Sequence, residues 1–332
     1  MRKKKLIVFV ALTLVLSSVL AVVMLFAHTK VELFSWQWVA LAVATLVAPL
    51  LATVLTQLIF KERPLRELGL ALRFSHWHFI GWILMPIITV ATLLLSVSLP
   101  GMNFLSGKVV DEFMTHPDMM DGVTRNAASR MVDLVDRLPL LDSSSLLLLI
   151  FVGALLIGAT VASLFTTCME TGWRGYLLRQ LEGLPFLEAC LWSGISWGLS
   201  LVPLVLMGFF YGNHNVLGMP MIVLFCTLLT PLLVYVRVKS ATLWSSATMV
   251  ATLLLCLPVF HLYVIGYDAL YTSLTGLSGI AVLLFVDVAL FFCDSYITKE
   301  RIMSSPLRFL SRHTRAWERE EAMQDRPSQD RL

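Results

Sequence analysis

Eight long apolar runs dominate this chain, at 6–27, 38–60, 79–100, 145–168, 186–207, 219–236, 241–265 and 277–297. A helix crosses the hydrocarbon core of a bilayer with about 17–25 predominantly apolar residues, and every run falls in or near that range. Lipid, not water, is therefore the solvent in which the fold must be stable. The composition agrees, with 58% of the 332 residues apolar and 14% charged, against roughly 45–50% and about 25% in soluble domains. A soluble globule, a disordered segment and a disulfide-stapled secreted domain are excluded. A net charge of +3 is too small and too scattered for nucleic-acid binding. The expected fold class is an all-α polytopic membrane protein, a bundle of about eight transmembrane helices.

The distribution of basic residues orients this bundle. Cytoplasmic loops are enriched in Lys and Arg. With the N-terminus in the cytoplasm and the sides alternating, the inner segments hold Arg2 to Lys5; Lys61, Arg63, Arg66 and Arg73; Arg174 and Arg179; Arg237 and Lys239; and eight residues after 298. That is 20 of the 25 Lys and Arg residues. The outer segments hold Lys30, Lys108, Arg125, Arg130 and Arg137. Both termini are thus expected in the cytoplasm. The first run has the basic start of a signal peptide but is too long and lacks a small-x-small cleavage site, so it reads as a retained anchor. The expected divisions are two N-terminal helices over 1–60, a membrane core over 61–265, a last helix over 266–297 and a charged cytoplasmic tail over 298–332.

The outer segment 101–144 is acidic, and Ala127, Met131, Leu134, Val135 and Leu138 recur within it at helical spacing. That stripe predicts an amphipathic surface helix, either a lid packed on the bundle or a docking site for a partner. Segment 61–74 predicts a basic interfacial helix or turn. The tail is expected to be frayed beyond about Trp317. Cys168, Cys190, Cys226, Cys256 and Cys293 all fall in apolar runs without CxxC spacing and read as small core residues.

An ionisable group at membrane depth is costly and marks a functional candidate. The richest cluster is Met169-Glu170-Thr171-Gly172-Trp173-Arg174-Gly175-Tyr176, at the inner end of the fourth run. Glu170 and Arg174 share a helical face. Gly172 and Gly175 permit close backbone approach. Trp173 and Tyr176 suit a membrane–water boundary. The plain structural reading is an ion pair locking two helices, with Arg174 snorkelling to the headgroups. Asp287 lies in the middle of the eighth run, either neutral or paired with another helix. Asp294 falls near enough to the boundary to be solvated. His261, toward the outer end of the seventh run, reads as a hydrogen-bonded core histidine. His76 and His78, two apart, make a poor metal pair. Ser240, Thr242, Ser245, Ser246 and Thr248 are expected to bond to backbone or to a neighbouring helix rather than to act as nucleophiles.

The segment Met169 to Leu178 closely resembles the first motif of the CPBP family, the CAAX proteases and bacteriocin-processing (Abi-type) intramembrane enzymes, usually two Glu, a variable residue and GWRGYL. Trp197-Gly198-Leu199-Ser200-Leu201-Val202-Pro203 is similar to the family's second motif, commonly WGLWHLP. Arg237 to Trp244 resembles the approach to the third, and Leu65 to Leu70 a short segment such proteins carry before their next span. The resemblance covers roughly 60–255. It implies a transmembrane core in which a glutamate activates water for peptide cleavage beside two histidines and an asparagine, with metal assistance.

The residue-by-residue match breaks at the chemistry. The first Glu aligns with Met169, the motif-two His with Leu201, the motif-three His with Val250 and the Asn with Leu254. None of these can take a proton or bind a hard or borderline metal. Glu170, Arg174, both glycines, Trp197, Pro203 and Trp244 match the family pattern. The expectation is a non-catalytic member of the fold, a pseudoprotease that binds or scaffolds a membrane protein or peptide among membrane lipids, without a cofactor. Two alternatives stay open. One is an active peptidase with a rearranged site using Glu170, in which zinc would enter. The other is a small transporter centred on Asp287. The Lys-rich start and the absence of N-x-S/T sequons favour a bacterial inner membrane, and the oligomeric state is left open.

Overall fold

A computed structural model describes residues 2–26, 36–63, 65, 68–71, 74–115, 124, 128–129, 131–133, 143–212 and 214–309. Among them, eight helices are long and apolar enough to cross a membrane. In chain order they are Arg2–Met24, Val39–Ile59, His76–Val97, Ser145–Gln180, Phe186–Leu206, Val216–Ser240, Leu243–Tyr263 and Leu277–Ile297, here the first to eighth spans. The protein is an all-α polytopic bundle. Its outer surface is apolar, with Ile83, Leu94, Leu156, Leu217 and Phe285 exposed, as lipid contact requires.

Local chemistry sets the helix ends and interfaces. Ser75 and Thr242 cap the third and seventh spans, each hydroxyl accepting at 3.3 Å from the backbone N–H two residues on. Interfaces close on small residues, because between lipid-immersed helices packing rather than hydrophobic burial drives association. A Cβ on Gly172 would meet the Pro49 side chain at 2.4 Å, and one on Gly194 would meet Thr227 Cα at 2.5 Å. Gly158 sits as closely on Thr252. The fourth span thereby packs on the second and seventh, and the fifth on the sixth.

The loops segregate to two ends. At one end, Lys5 pairs with Glu62, Arg2 donates to Glu182 O at 3.2 Å, and Lys239 pairs with Glu300. Leu184 and Leu307 are joined by a backbone bond of 2.8 Å. At the other end, Asn103–Phe104 pairs antiparallel with Val264–Ile265, and Tyr211 donates to Thr275 O at 2.8 Å. The N-terminal basic cluster and the loops after the second, fourth, sixth and eighth spans thus share one end, as an eight-span reading requires.

Several expectations are corrected. The fourth helix does not stop near 168 but runs through the polar motif to Gln180, because its polar side chains are buried against neighbouring helices instead of reaching water. Trp173 and Tyr176 are buried against the first span, packing on Phe9 with ring centroids 5.6 and 5.3 Å away. Asp294 is fully buried and accepts from Met303 N at 2.8 Å, because the chain after the eighth span folds back. Met303 and Leu307 are buried too, so residues 298–309 pack against the bundle. Cys293 is exposed, whereas Cys190, Cys226 and Cys256 are buried. His261 is exposed and meets the Tyr267 ring edge-on at 5.3 Å. Of the two forms expected for segment 61–74, helix or turn, the described residues adopt the turn. Ala127, Leu134, Val135 and Leu138 of the acidic segment, Arg66 and Arg73, and the tail around Trp317 lie outside the described residues; Met131 is buried.

Candidate functional site

The motif in the fourth span adopts an unusual local geometry. Residues Thr171–Leu177 form a π-helical stretch, and a second one, Gly158–Ala162, lies upstream. Insertions of this kind widen a helix and often occur at functional sites. Here every residue from Met169 to Leu178 is buried.

At its centre is a buried ion pair. Arg174 Nη1 donates to Glu170 Oε1 at 3.0 Å, and both side chains are 0% exposed. Arg174 therefore does not snorkel. Its Nη2 donates to Thr230 Oγ1 of the sixth span at 3.1 Å, and its guanidinium carbon lies 4.0 Å from the centroid of the Trp197 ring in the fifth. One cation thus ties together three spans. Thr230 escaped the sequence reading, since a threonine inside an apolar helix ordinarily bonds its own backbone; Thr230 does so as well, donating to Cys226 O at 2.6 Å.

The pair has neighbours that leave part of it unsatisfied. Glu170 Oε2 and Arg174 Nε have no hydrogen-bond partner among the described residues. Ser246 of the seventh span lies beside the Glu170 carboxylate, and its hydroxyl also donates to Leu243 O at 3.0 Å. Arg237, read from sequence as a boundary cation, is 5% exposed. It donates to Leu68 O at 3.2 Å and stacks 4.1 Å from the Phe309 ring centroid. Ser240 and Ser245 behave as expected. Ser245 donates to Thr242 O at 2.9 Å, and Ser240 and Ser245 share a 2.7 Å bond.

The four segments singled out by their resemblance meet in space. The carbonyls of Leu68 to Ala71 form a platform for the start of the seventh span. Gly69 O accepts Leu243 N at 2.9 Å, Leu70 O accepts Trp244 Nε1 at 3.0 Å and Ala71 O accepts Thr242 Oγ1 at 2.7 Å. Thr166 Oγ1, one turn before Glu170, donates to Ala247 O at 2.8 Å. Trp197 of the second motif carries the arginine of the first.

The positions aligned with catalytic groups are placed differently from one another. Met169, Leu201 and Val250 are buried among apolar neighbours, whereas Leu254 is 36% exposed on the outer surface. Leu254 thus does not share the buried setting of the other three. No three His, Cys, Asp or Glu side chains converge among the described residues, so the donors present do not fit the zinc that the resemblance implies. Asp287 is half-buried in the eighth span, and its Oδ1 has no partner among the described residues. Cys190 of the fifth span lies within electrostatic reach of both Asp287 and Arg174, whereas His261 lies at the far end of the seventh span. His76 is exposed and His78 buried, so they do not share a face.

No protein-family model matches the sequence, and no curated protein is significantly similar to it.

Proposed function

We propose that this chain is a non-catalytic, CPBP-like integral membrane protein that binds or scaffolds a membrane protein or peptide. It needs no metal, and its basic end faces the cytoplasm of a bacterial cell. The observation that carries this reading is the commitment of Glu170. The one acid of the motif is buried, paired with Arg174, and through it bound to Thr230 and Trp197. A general base must reach the proton it removes, directly or through one water, and this carboxylate is engaged in joining helices. Met169, Leu201 and Val250 supply apolar volume where an intramembrane peptidase needs donors and a water. The contact between the four resembling segments supports an inherited scaffold.

A second reading keeps Glu170 as the base of a rearranged peptidase, and the orphaned Oε2 beside Ser246 favours it. Glu170→Gln separates the two, because glutamine keeps an acceptor for Arg174 but cannot take the proton. A deletion phenotype fully complemented by Glu170→Gln, with no stoichiometric chelatable zinc in the purified protein, is the expected outcome. Cleavage of a membrane substrate by the purified protein, abolished in Glu170→Gln, would overturn the proposal.

A further inference from the structure

The basic end holds a second polar feature, remote from the role proposed for Glu170. A cleft of about 530 Å³ opens between the start of the third span, the end of the sixth and the segment after the eighth. Its polar lining is His76, Lys239, Glu300, Ser305 and Arg308, with Trp77 and Leu307 among its apolar walls. Lys239 is held in place, paired with Glu300 and poised 4.6 Å from the centroid of the Trp77 ring. Arg308 is exposed at the rim. Two permanent cations against one carboxylate leave the cleft net positive, and Lys299 and Arg301 add exposed charge in the same segment.

Depth distinguishes this cleft from an ordinary surface pocket. His76 opens the third span and Lys239 is the last residue but one of the sixth, so the cations sit where helices leave the membrane. From His76 a lipid-facing track runs along the third span through Ile80, Ile83, Ile87 and Leu94, all exposed. Cations at the boundary above an apolar track match the two halves of a phospholipid. Basic pockets between helices on the cytoplasmic side recognise anionic headgroups in this way, and charge-assisted bonds to phosphate are among the strong ones.

We infer that this cleft binds the headgroup phosphate of an anionic phospholipid. Lys239 and Arg308 contact the phosphate oxygens, the His76 imidazole adds a hydrogen bond, and an acyl chain follows the third-span track. Glu300 competes with the phosphate for Lys239 and sets the affinity. Inorganic phosphate has the same oxygens but no chain to lay on the track.

The test uses the full-length protein in phosphatidylcholine nanodiscs. Phosphatidylglycerol is titrated in and the lipid retained is read by native mass spectrometry. Phosphatidylglycerol should be retained in preference to phosphatidylcholine. Arg308→Gln and Lys239→Gln should each lower that preference about fivefold, and Glu300→Gln should raise it. Arg308 is exposed, so Arg308→Gln carries the test by itself should Lys239→Gln lower the yield. Inorganic phosphate at matched concentration should leave the melting temperature unchanged. Equal retention of the two lipids, or a preference indifferent to Arg308→Gln, would overturn the inference. Stabilisation by inorganic phosphate equal to that by phosphatidylglycerol would overturn the lipid assignment in favour of a free anion.

Discussion

The Arg174 guanidinium lies over the Trp197 ring across the boundary between the fourth and fifth spans, its central carbon 4.0 Å from the indole centroid. A desolvated cation over an aromatic face is worth about 2 kcal/mol or more. Glu170 and Thr230 are met by different guanidinium nitrogens, Nη1 and Nη2, so these two contacts do not compete. A lone arginine at this depth would be among the costliest residues in the chain. Held in this way, it becomes a rivet between helices.

Removing half of the pair should therefore hurt more than removing all of it. Arg174→Met leaves the Glu170 carboxylate buried without a partner, which costs about 3–5 kcal/mol. The double variant Glu170→Met with Arg174→Met replaces both charges by apolar volume and should recover most of that loss. Arg174→Lys keeps the charge but loses the planar stack and the two-way hydrogen bonding, and should fall between them. Melting temperatures of the four proteins in one detergent check the order. A double variant no more stable than Arg174→Met would show that the pair does not act as a unit.

Gly172 should tolerate no side chain. A Cβ there would lie 2.4 Å from the Pro49 side chain and 2.9 Å from its carbonyl oxygen, so Gly172→Ala must push the second and fourth spans apart. Overpacking of this kind costs about 1–3 kcal/mol. Gly153, in the same span, has nothing within 4 Å of the equivalent position. Gly153→Ala should be neutral or stabilising by up to about 1 kcal/mol through helix propensity. Thermal unfolding of the two variants side by side isolates packing from propensity.

The spans were legible because length and apolarity are properties of a segment alone. The basic residues sort to one end for the same reason. Burial of Arg174 was not legible, because its partners are 23 and 56 residues away and neither Trp197 nor Thr230 signals a cation from its own neighbours. The continuation of the fourth helix past 168 is hidden in the sequence for a related reason. Glu170 and Arg174 lower local hydropathy, and only the packing of neighbouring spans, the first, second, fifth, sixth and seventh, makes that stretch an interior one. Asp294 misled in the opposite sense. Its position near a helix end suggests water, but the chain turns back over it and supplies Met303 N–H instead.

That turn gives a third expectation. Asp294 Oδ2 accepts from Met303 N at 2.8 Å, and the buried side chains of Met303 and Leu307 follow from it. Asp294→Ala leaves the Met303 N–H without an acceptor, at a cost of about 1–3 kcal/mol. Asp294→Asn retains an acceptor oxygen and should be milder. Glu300→Gln breaks only the partly exposed pair with Lys239 and should cost no more than about 1 kcal/mol. Limited proteolysis reads the first two: Asp294→Ala should open the 298–309 segment to cleavage at concentrations that leave the parent protein intact. Equal resistance would mean that Leu307 packing holds the segment unaided.

Orientation can be decided by labelling. The end that gathers Arg2 to Lys5, Lys61, Arg179, Lys239 and Arg308 should be cytoplasmic, because basic residues near span ends resist translocation. Lys61 and Ser304 are exposed at that end, Ser98 and Tyr271 at the other. In a background with all five cysteines replaced, single cysteines at these four positions should divide into two classes. Cysteines at 98 and 271 should react with a membrane-impermeant maleimide added to intact cells. Cysteines at 61 and 304 should react only after the membrane is opened. The opposite partition would invert the bundle and move the Lys239 cleft to the outer leaflet. Labelling of 61 and 98 from the same side would contradict the third span itself, since His76–Val97 is all that separates them.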